Sequence, residues 1–182
     1  MYKVFIVDDE PSVRNGLTRI IGWDHLGCAV VGEAEDGIEA LERIPLLRPD
    51  IVISDIKMPG MDGIALARYL SRDFPGIKVI LLTGYAEFPY ARAAVKYGVI
   101  DFVLKPTSNE NIEKAVGKAI ELLAGETENA NRLKALEEKT IQDLAIIQEK
   151  FLIDVMNNVI VDPDVIRQHM DRLSIHFTNY YV

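Results

Sequence analysis

The sequence has 182 residues, 49% of them hydrophobic, and a formal net charge of −8, which predicts one packed domain with or without an appendage. No apolar stretch approaches the roughly 20 residues of a membrane span, and no secretory signal precedes the first apolar run, so we expect a cytoplasmic protein. The single cysteine excludes an internal disulfide, the three histidines lack metal-ligand spacing, and an acidic surplus in both parts, 18 to 14 over residues 1–125 and 10 to 6 over 126–182, argues against nucleic-acid binding.

The first apolar run predicts a β-strand that ends in acidic residues. Residues 3–7 lead directly into Asp8, Asp9 and Glu10, and a helix over 11–21 follows, with proline in its favoured first position. Three acids therefore lie at the carboxyl end of a strand. Acids at this point also favour the dipole of the following helix, so this segment alone leaves both roles open.

Another carboxylate follows the strand predicted at the centre of the sheet. A strand over 28–33 and a helix that Asp36 caps and Pro45 ends come before it. The continuous apolar run at 51–53 then predicts a strand over 51–54 that is buried on both faces of a parallel sheet, and Asp55 follows directly. Aspartate is also favoured at the start of a turn, so Asp55 taken alone fits either a chemical or a turn-forming role.

The remaining elements alternate in the same way. We predict a third helix capped by Asp62 and closed by the Pro75-Gly76 turn, a strand over 77–82 that ends at Thr83, a fourth helix from about Tyr90 to Gly98, a strand over 99–104 that ends at Lys105, and a fifth helix over 108–123 capped by Thr107 with Glu110.

Five strands that alternate with five helices are typical of an α/β fold with a doubly wound parallel sheet and right-handed crossovers. The flavodoxin-like strand order expected for such a set, 2-1-3-4-5, places a crevice between the first and third strands. The carboxyl ends of all five strands then share one edge of the sheet. That edge gathers the polar residues that end the strands, namely Asp8, Asp9, Asp55, Thr83 and Lys105.

This combination closely resembles the receiver domain of two-component response regulators over residues 1–123. The resemblance rests on Asp8-Asp9-Glu10, Asp55 within DIKMPGMDG, Thr83 and Lys105-Pro106. The stretch TGYAEFPYARAAVKYGVIDFVLKP is similar to regulators with an AraC-type DNA-binding output. The resemblance implies that Asp55 accepts a phosphoryl group from a sensor histidine kinase. The protein is then a signalling phosphoacceptor, with no enzymatic activity beyond its own phosphorylation and dephosphorylation.

The resemblance also implies a Mg²⁺ site. Asp9, Asp55 and the backbone carbonyl of Lys57 are the expected ligands, with Asp8 acting directly or through water. This donor set agrees with the preference of Mg²⁺ for hard oxygens and retained waters.

Three further residues are expected to respond to the phosphate. Lys105 suits a phosphate oxygen as a point charge, and the Thr83 hydroxyl can donate to another oxygen once the phosphate is present. Phe102 matches the aromatic switch position of the family, and its pattern fits an ordinary core residue equally well.

Two other classes share parts of this pattern. Phosphatases of the haloacid dehalogenase type use a strand-end aspartate with Mg²⁺, but their nucleophile opens a D-x-D motif, and the residue two after Asp55 is Lys57. Flavin-binding modules share the strand order, but they need a Gly, Ser and Thr-rich phosphate loop after the first strand. The acidic DDEPS at that place would repel a phosphate.

Beyond residue 123 the sequence predicts a helical linker over 124–160. Apolar residues recur about every 3.7 positions, which is typical of a helix with one apolar face. We expect this stripe to meet a partner, either its copy in a homodimer or a missing domain. The stripe contains Leu133, Leu136, Thr140, Leu144, Ile147, Phe151 and Val155.

A second candidate surface for a homodimer is formed by the predicted fourth helix, fifth strand and fifth helix. It includes Arg92, Asp101 and Lys118.

Residues 161–182 predict the start of an incomplete middle domain. Asp162 and Pro163 open a short helix to about Leu173, and IHFTNYYV then predicts a strand. No helix-turn-helix pattern is present, so DNA binding is expected only through a missing C-terminal domain. Gly125 costs a helix about 1 kcal/mol relative to alanine, and the sequence leaves open whether the linker continues the fifth helix.

Overall fold

The structure, a computed structural model, describes residues 1–84 and 94–175. Within the described residues, five strands form a sheet, four helices contribute to the layers that cover it, and a fifth helix follows in the chain. In chain order they are β1 Tyr2–Val7, α1 Pro11–Ile20, β2 Cys28–Ala34, α2 Gly37–Leu47, β3 Ile51–Asp55, α3 Gly63–Asp73, β4 Lys78–Thr83, β5 Val99–Leu104, α4 Asn109–Met156 and α5 Pro163–Arg172, with short 3₁₀ turns at Trp23–Leu26 and Ala94–Tyr97.

The five strands form one parallel sheet in the order β2-β1-β3-β4-β5, which confirms the predicted fold class and strand order. β1 and β3 are neighbours, and every residue of β3 is buried. Because all five strands run in the same direction, their carboxyl ends share one edge of the sheet. That edge holds the polar residues discussed below.

An apolar layer lies on each face of the sheet. On one face Phe5, Val52 and Leu81 pack with residues of α2 and α3 such as Ile44 and Leu70. The opposite layer combines alternate strand residues with α1 and the first part of α4, and contains Ile6, Ile53, Ile80, Leu17, Ile112 and Val116. The alternation of side chains along each strand thus fills both layers from the same short apolar runs.

The N-terminal caps of two helices were predicted correctly. The Asp36 carboxylate accepts hydrogen bonds from the backbone N–H groups of Ile38 and Glu39, both at 2.8 Å. The Asp62 carboxylate accepts from the backbone N–H of Ala65 at 2.6 Å. Both caps satisfy amide donors that have no partner within their helix.

Two predicted boundaries were wrong. Helix α2 does not stop at Pro45 but continues to Leu47, where the backbone N–H of Arg48 bonds to the carbonyl of Ile44. Pro45 is exposed and lies in the last turn, so its missing N–H removes a single bond close to the helix end. Thr107 does not cap the next helix, which begins at Asn109. Its cap is Ser108, whose hydroxyl accepts from the N–H of Asn111 at 3.3 Å.

The strand limits shift by about one residue. Asp55 belongs to β3, where it pairs with Leu82, and β4 covers Lys78–Thr83 instead of 77–82. Asp55 and Thr83 are therefore the last residues of their strands rather than the first residues of loops. Residues 90–93 of the predicted fourth helix, Arg92 among them, lie outside the described residues, and the remainder of that prediction forms a short 3₁₀ helix at Ala94–Tyr97.

The chain divides into two compact units, Met1–Glu126 and Thr127–Val182. Helix α4 runs without interruption from Asn109 to Met156, so the helix remains continuous at Gly125. Within the described residues, no helix has both the length and the apolarity needed to cross a membrane.

In the second unit α5 packs against the end of α4. The rings of Phe151 and His169 stack at 5.6 Å, and the Gln148 side chain donates to the carbonyl of Leu173 at 2.8 Å. The short helix predicted after Asp162 is present as α5, with Asp162 as its cap. Most of the strand predicted after it falls on residues 176–182, which the structure does not describe.

Candidate functional site

Lys105 joins two strand ends at the carboxyl edge of the sheet. Its ammonium lies 2.9 Å from Oδ2 of Asp8, which follows β1, and 2.9 Å from Oδ2 of Asp55, which ends β3. Lys105 and Asp8 are 97 positions apart in the sequence. The structure therefore brings together residues that the sequence placed on one edge from strand order alone.

A third carboxylate lies beside the two that contact this lysine. One oxygen from each of Asp8, Asp9 and Asp55 lies within 4.8 Å of the others. Asp8 is fully buried and Asp55 is 6% exposed, while Asp9 is open to solvent. Three carboxylates, of which only Asp8 and Asp55 contact the lysine, leave an unbalanced negative charge in a largely buried place. The donor set of hard oxygens and the open side at Asp9 fit a divalent cation such as Mg²⁺.

The pKa values of Asp55 and Lys105 depend first on burial and then on the contact between the two groups. Burial raises the pKa of the Asp55 carboxyl, and its hydrogen bond and charge attraction to Lys105 offset this effect only in part. Burial alone would lower the pKa of the Lys105 ammonium, but its hydrogen bonds to Asp55 and Asp8 outweigh burial, so that this pKa is raised. The lysine is therefore held in its charged form, whereas the Asp55 carboxylate lacks full compensation.

The Asp55 carboxylate is oriented by two different donors. Its Oδ1 accepts a hydrogen bond from the backbone N–H of Ile56 at 2.8 Å, and its Oδ2 faces Lys105. Asp8 is oriented in a similar way, because its Oδ1 accepts from the N–H of Glu10 at 2.9 Å. Both buried carboxylates thus have one oxygen on the backbone and the other on the shared lysine.

Thr83 and Phe102 occupy the places expected of them along their strands. Thr83 is the last residue of β4, is fully buried, and donates its hydroxyl to the carbonyl of Gly84 at 3.1 Å. Phe102 is half-buried and packs against the apolar layer that contains α2 and α3. It therefore contributes to that layer from β5, and it does not join the carboxylate cluster. The Lys57 side chain is exposed, two residues beyond Asp55.

Two residues of the site were missed from the sequence. Arg14 on α1 donates through Nη1 to the backbone carbonyl of Asp8 at 2.6 Å, and its Nε lies 3.9 Å from Glu33. Ser54 is fully buried and donates its hydroxyl to the backbone carbonyl of Asp55 at 2.8 Å. The available signal was a lone polar residue inside an apolar strand, since a buried hydroxyl needs a hydrogen-bond partner.

The comparisons with known proteins agree with this geometry. A family model described as the response regulator receiver domain matches residues 4–117. The transcriptional regulatory protein YesN of Bacillus subtilis, itself described as uncharacterized, is 42% identical over 120 residues, which are 66% of this chain and 33% of YesN. The transcriptional regulatory protein HptR of Staphylococcus aureus is 35% identical over 134 residues, which are 73% of this chain and 52% of HptR. The chain thus spans between a third and about half of these relatives.

Solved structures show the same relationship. The receiver domain of AraT, a response regulator from Geobacillus stearothermophilus, is 41% identical with a TM-score of 0.66, over 69% of this chain and 98% of that domain. A two-component transcriptional regulator described as AraC from Clostridium phytofermentans is 33% identical with a TM-score of 0.65, over 69% of this chain and 97% of that structure. Since the family model covers more than half of the sequence, the chain belongs to the response regulator receiver family of two-component systems.

Proposed function

We propose that Asp55 accepts a phosphoryl group from a sensor histidine kinase and that this modification switches a transcriptional output. The observation that supports the proposal is the arrangement of Asp55 itself. It ends the central strand, contacts Lys105 at 2.9 Å, and lies within 4.8 Å of two further carboxylates. Family membership makes a phosphoacceptor the natural role for such a residue.

In the proposed reaction a carboxylate oxygen of Asp55 attacks the phosphorus of a phosphohistidine. The new P–O bond forms while the P–N bond breaks, and the imidazole leaves with the electron pair. Charge spreads over the phosphoryl oxygens in the transition state, so catalysis depends on positioning and on neutralising charge. When bound by Asp9, Asp55, the Lys57 carbonyl and Asp8, Mg²⁺ would supply positive charge beside those oxygens.

The switch is proposed to act through residues already near the carboxyl edge. Lys105 would exchange one of its carboxylate contacts for a phosphate oxygen. The Thr83 hydroxyl, which bonds to the carbonyl of Gly84 in the present structure, would turn to another phosphate oxygen. Phe102 would then repack on its face of β5, and this repacking would transmit the conformational change from the site to the surface around β5.

We propose that the receiver covers residues 1–123, that 124–160 form a helical linker, and that 161–182 begin a middle domain. The transcriptional regulators to which the chain is similar extend well beyond the matched region. An AraC-type output would therefore lie in sequence that this chain lacks, and DNA binding would occur only through it. The proposed location is the cytoplasm, where a histidine kinase presents its phosphohistidine.

The proposed homodimer has two candidate surfaces. One is the surface around Asp101 and Lys118, which form an ion pair at 2.6 Å. The other is the stripe on α4, where the side chains of Leu133, Leu144 and Ile147 are 62%, 41% and 53% exposed. Sedimentation of a Leu144→Asp, Ile147→Asp variant tests the stripe, with Ala135→Asp, Gln142→Asp on the opposite face as the control. A wild type that is monomeric with and without a phosphoryl mimic would exclude a homodimer.

The central experiment measures phosphate incorporation by intact mass. The full chain is incubated with a small phosphodonor and Mg²⁺, alone and after Asp55→Asn. We expect the wild type to gain the mass of one phosphoryl group, and the variant to gain none. Asp73→Asn is the matched control, because Asp73 is an aspartate of α3 that pairs with Arg72 outside the site. Labelling that survives Asp55→Asn would refute the assignment.

A further inference from the structure

The peptide unit between Asp55 and Ile56 is held at both of its ends. Its carbonyl accepts a hydrogen bond from the Ser54 hydroxyl at 2.8 Å. Its N–H donates to Oδ1 of Asp55 at 2.8 Å and also to the backbone carbonyl of Leu82 at 3.0 Å. The donors and acceptors of this single unit therefore determine the plane in which it lies.

The orientation of this peptide determines which carboxylate oxygen is available for chemistry. The Ile56 N–H occupies Oδ1, and Oδ2 is left facing Lys105 at 2.9 Å. A rotation of the peptide would carry the N–H away from Oδ1 and would release the carboxylate to turn about its bond to Cβ. The Ser54 hydroxyl opposes this rotation from the carbonyl side.

The start of α3 covers the same peptide and keeps its surroundings tight. A Cβ atom on Gly63 would overlap the Asp55 carbonyl oxygen and would approach the Ser54 hydroxyl oxygen to 3.0 Å. The Gly63 N–H also donates to the carbonyl of Ile56 at 2.9 Å. Because Gly63 has no side chain, α3 can approach the backbone here and enclose the Ser54 hydroxyl, which is fully buried.

We propose that Ser54 is a positioning residue for phosphoryl transfer, which acts by holding the Asp55–Ile56 peptide and thereby the Asp55 carboxylate. The inference rests on the proposed function, because it gives Ser54 a role in the reaction at Asp55. Ser54 does not touch the phosphoryl group. It acts only through the backbone of the residue that does, so its loss should reduce the rate at saturating phosphodonor and leave donor binding nearly unchanged.

The test compares Ser54→Ala with a conservative and a matched variant of the full chain. Ser54→Thr keeps the hydroxyl. If its added methyl group disturbs folding, Ser54→Cys takes its place, because the thiol is still a weak hydrogen-bond donor. Ser71→Ala removes a similar hydroxyl-to-carbonyl bond, of 2.9 Å to Arg68, on the exposed part of α3. Phosphorylation is followed by intact mass against phosphodonor concentration. The amide resonance of Ile56 is recorded separately in the unphosphorylated protein.

A misplaced reacting group costs a large factor in rate even when binding survives. We expect Ser54→Ala to lower the maximal rate about fivefold to tenfold with little change in the half-saturating donor concentration. The Ile56 amide resonance should shift, threonine or cysteine should restore part of the rate, and Ser71→Ala should match the wild type. If the wild type is phosphorylated and Ser54→Ala reaches the same maximal rate, the role of Ser54 is overturned while the proposed function stands. A wild type that gains no phosphate while the Ile56 resonance still responds to Ser54→Ala would overturn the proposed function, and with it the role of Ser54 in that reaction.

Discussion

Two largely buried lysines lie at opposite edges of the sheet, and their surroundings differ. Lys105, at the carboxyl edge, contacts two carboxylates that are themselves buried. Lys78, at the amino edge, has a side chain that is only 9% exposed and pairs with Glu126, whose side chain is 58% exposed. The Lys78 pair balances one charge with one charge. At Lys105 the negative charge exceeds the positive. This excess lowers the stability of the folded protein, but the carboxylates suit a bound cation and the lysine suits a phosphate.

The largest effect should separate these two lysines. Under the proposed function we expect Lys105→Met to lower the rate of phosphate incorporation at Asp55 about tenfold to 100-fold, because the charge that would face the phosphoryl oxygens is lost. Lys78→Met should leave that rate within about twofold, since Lys78 lies at the other end of β4. Both rates are measured by intact mass, with thermal unfolding as the check on folding. Equal losses in the two variants would contradict a special role of Lys105.

The next effect concerns the cation. Asp9 is the exposed member of the carboxylate cluster and a proposed Mg²⁺ ligand, and Asp9→Asn removes its charge without opening a cavity. We expect the Mg²⁺ concentration for half-maximal phosphorylation to rise about tenfold or more. Asp24→Asn, at an exposed aspartate of the Trp23–Leu26 turn, is the control. An unchanged Mg²⁺ requirement in Asp9→Asn would remove Asp9 from the site.

The contrast between the two edges also shows what the sequence could predict. Strand order alone placed Asp8, Asp55, Thr83 and Lys105 on one edge, because parallel strands bring residues far apart in the chain to a common end. The lone hydroxyl of Ser54 in an apolar strand signals that it needs a hydrogen-bond partner, but strand order does not identify the Asp55 carbonyl as that partner, because the contact depends on how closely α3 approaches one peptide. Sequence periodicity predicts a whole helix or strand, whereas such a hydrogen bond depends on the exact distance between two neighbouring elements.

Local end signals were predictable only where one residue type had no competitor. Asp36 and Asp62 were each the obvious cap of their helix, and both act as such. Thr107 was predicted as the cap of the next helix, but the adjacent Ser108 takes that role because α4 begins at Asn109. The stripe on α4 shows a similar limit. Its spacing predicted one helical face, but not that Phe151 alone among its large residues would be buried, against His169 of α5.

A smaller effect follows from the pKa of Asp55. Burial is the main cause of its rise, so the folded protein binds this proton more tightly than the unfolded chain does. The contribution of Asp55 to stability is then greatest below its ordinary pKa and declines as the pH rises through the raised folded value. Asp55→Asn lacks this decline. We therefore expect the free energy of unfolding of the wild type, relative to the variant, to fall as the pH rises through that window. Urea unfolding without Mg²⁺ at a series of acidic to neutral pH values measures this, and a flat or rising difference would contradict it.

The smallest effect is expected at the amino edge. Glu126→Gln keeps an oxygen that can accept from the Lys78 ammonium, so the contact at the end of the first unit persists with weaker charge attraction. Because the Glu126 side chain is more than half exposed, water replaces much of what is lost, and we expect the free energy of unfolding to fall by at most about 1 kcal/mol. Glu121→Gln, at an exposed glutamate of the same helix, is the control, and urea unfolding is the measurement. A loss of several kcal/mol would show that the Lys78 ammonium depends on Glu126 as a buried partner, and the amino edge would then resemble the carboxyl edge more closely than its balanced charges indicate.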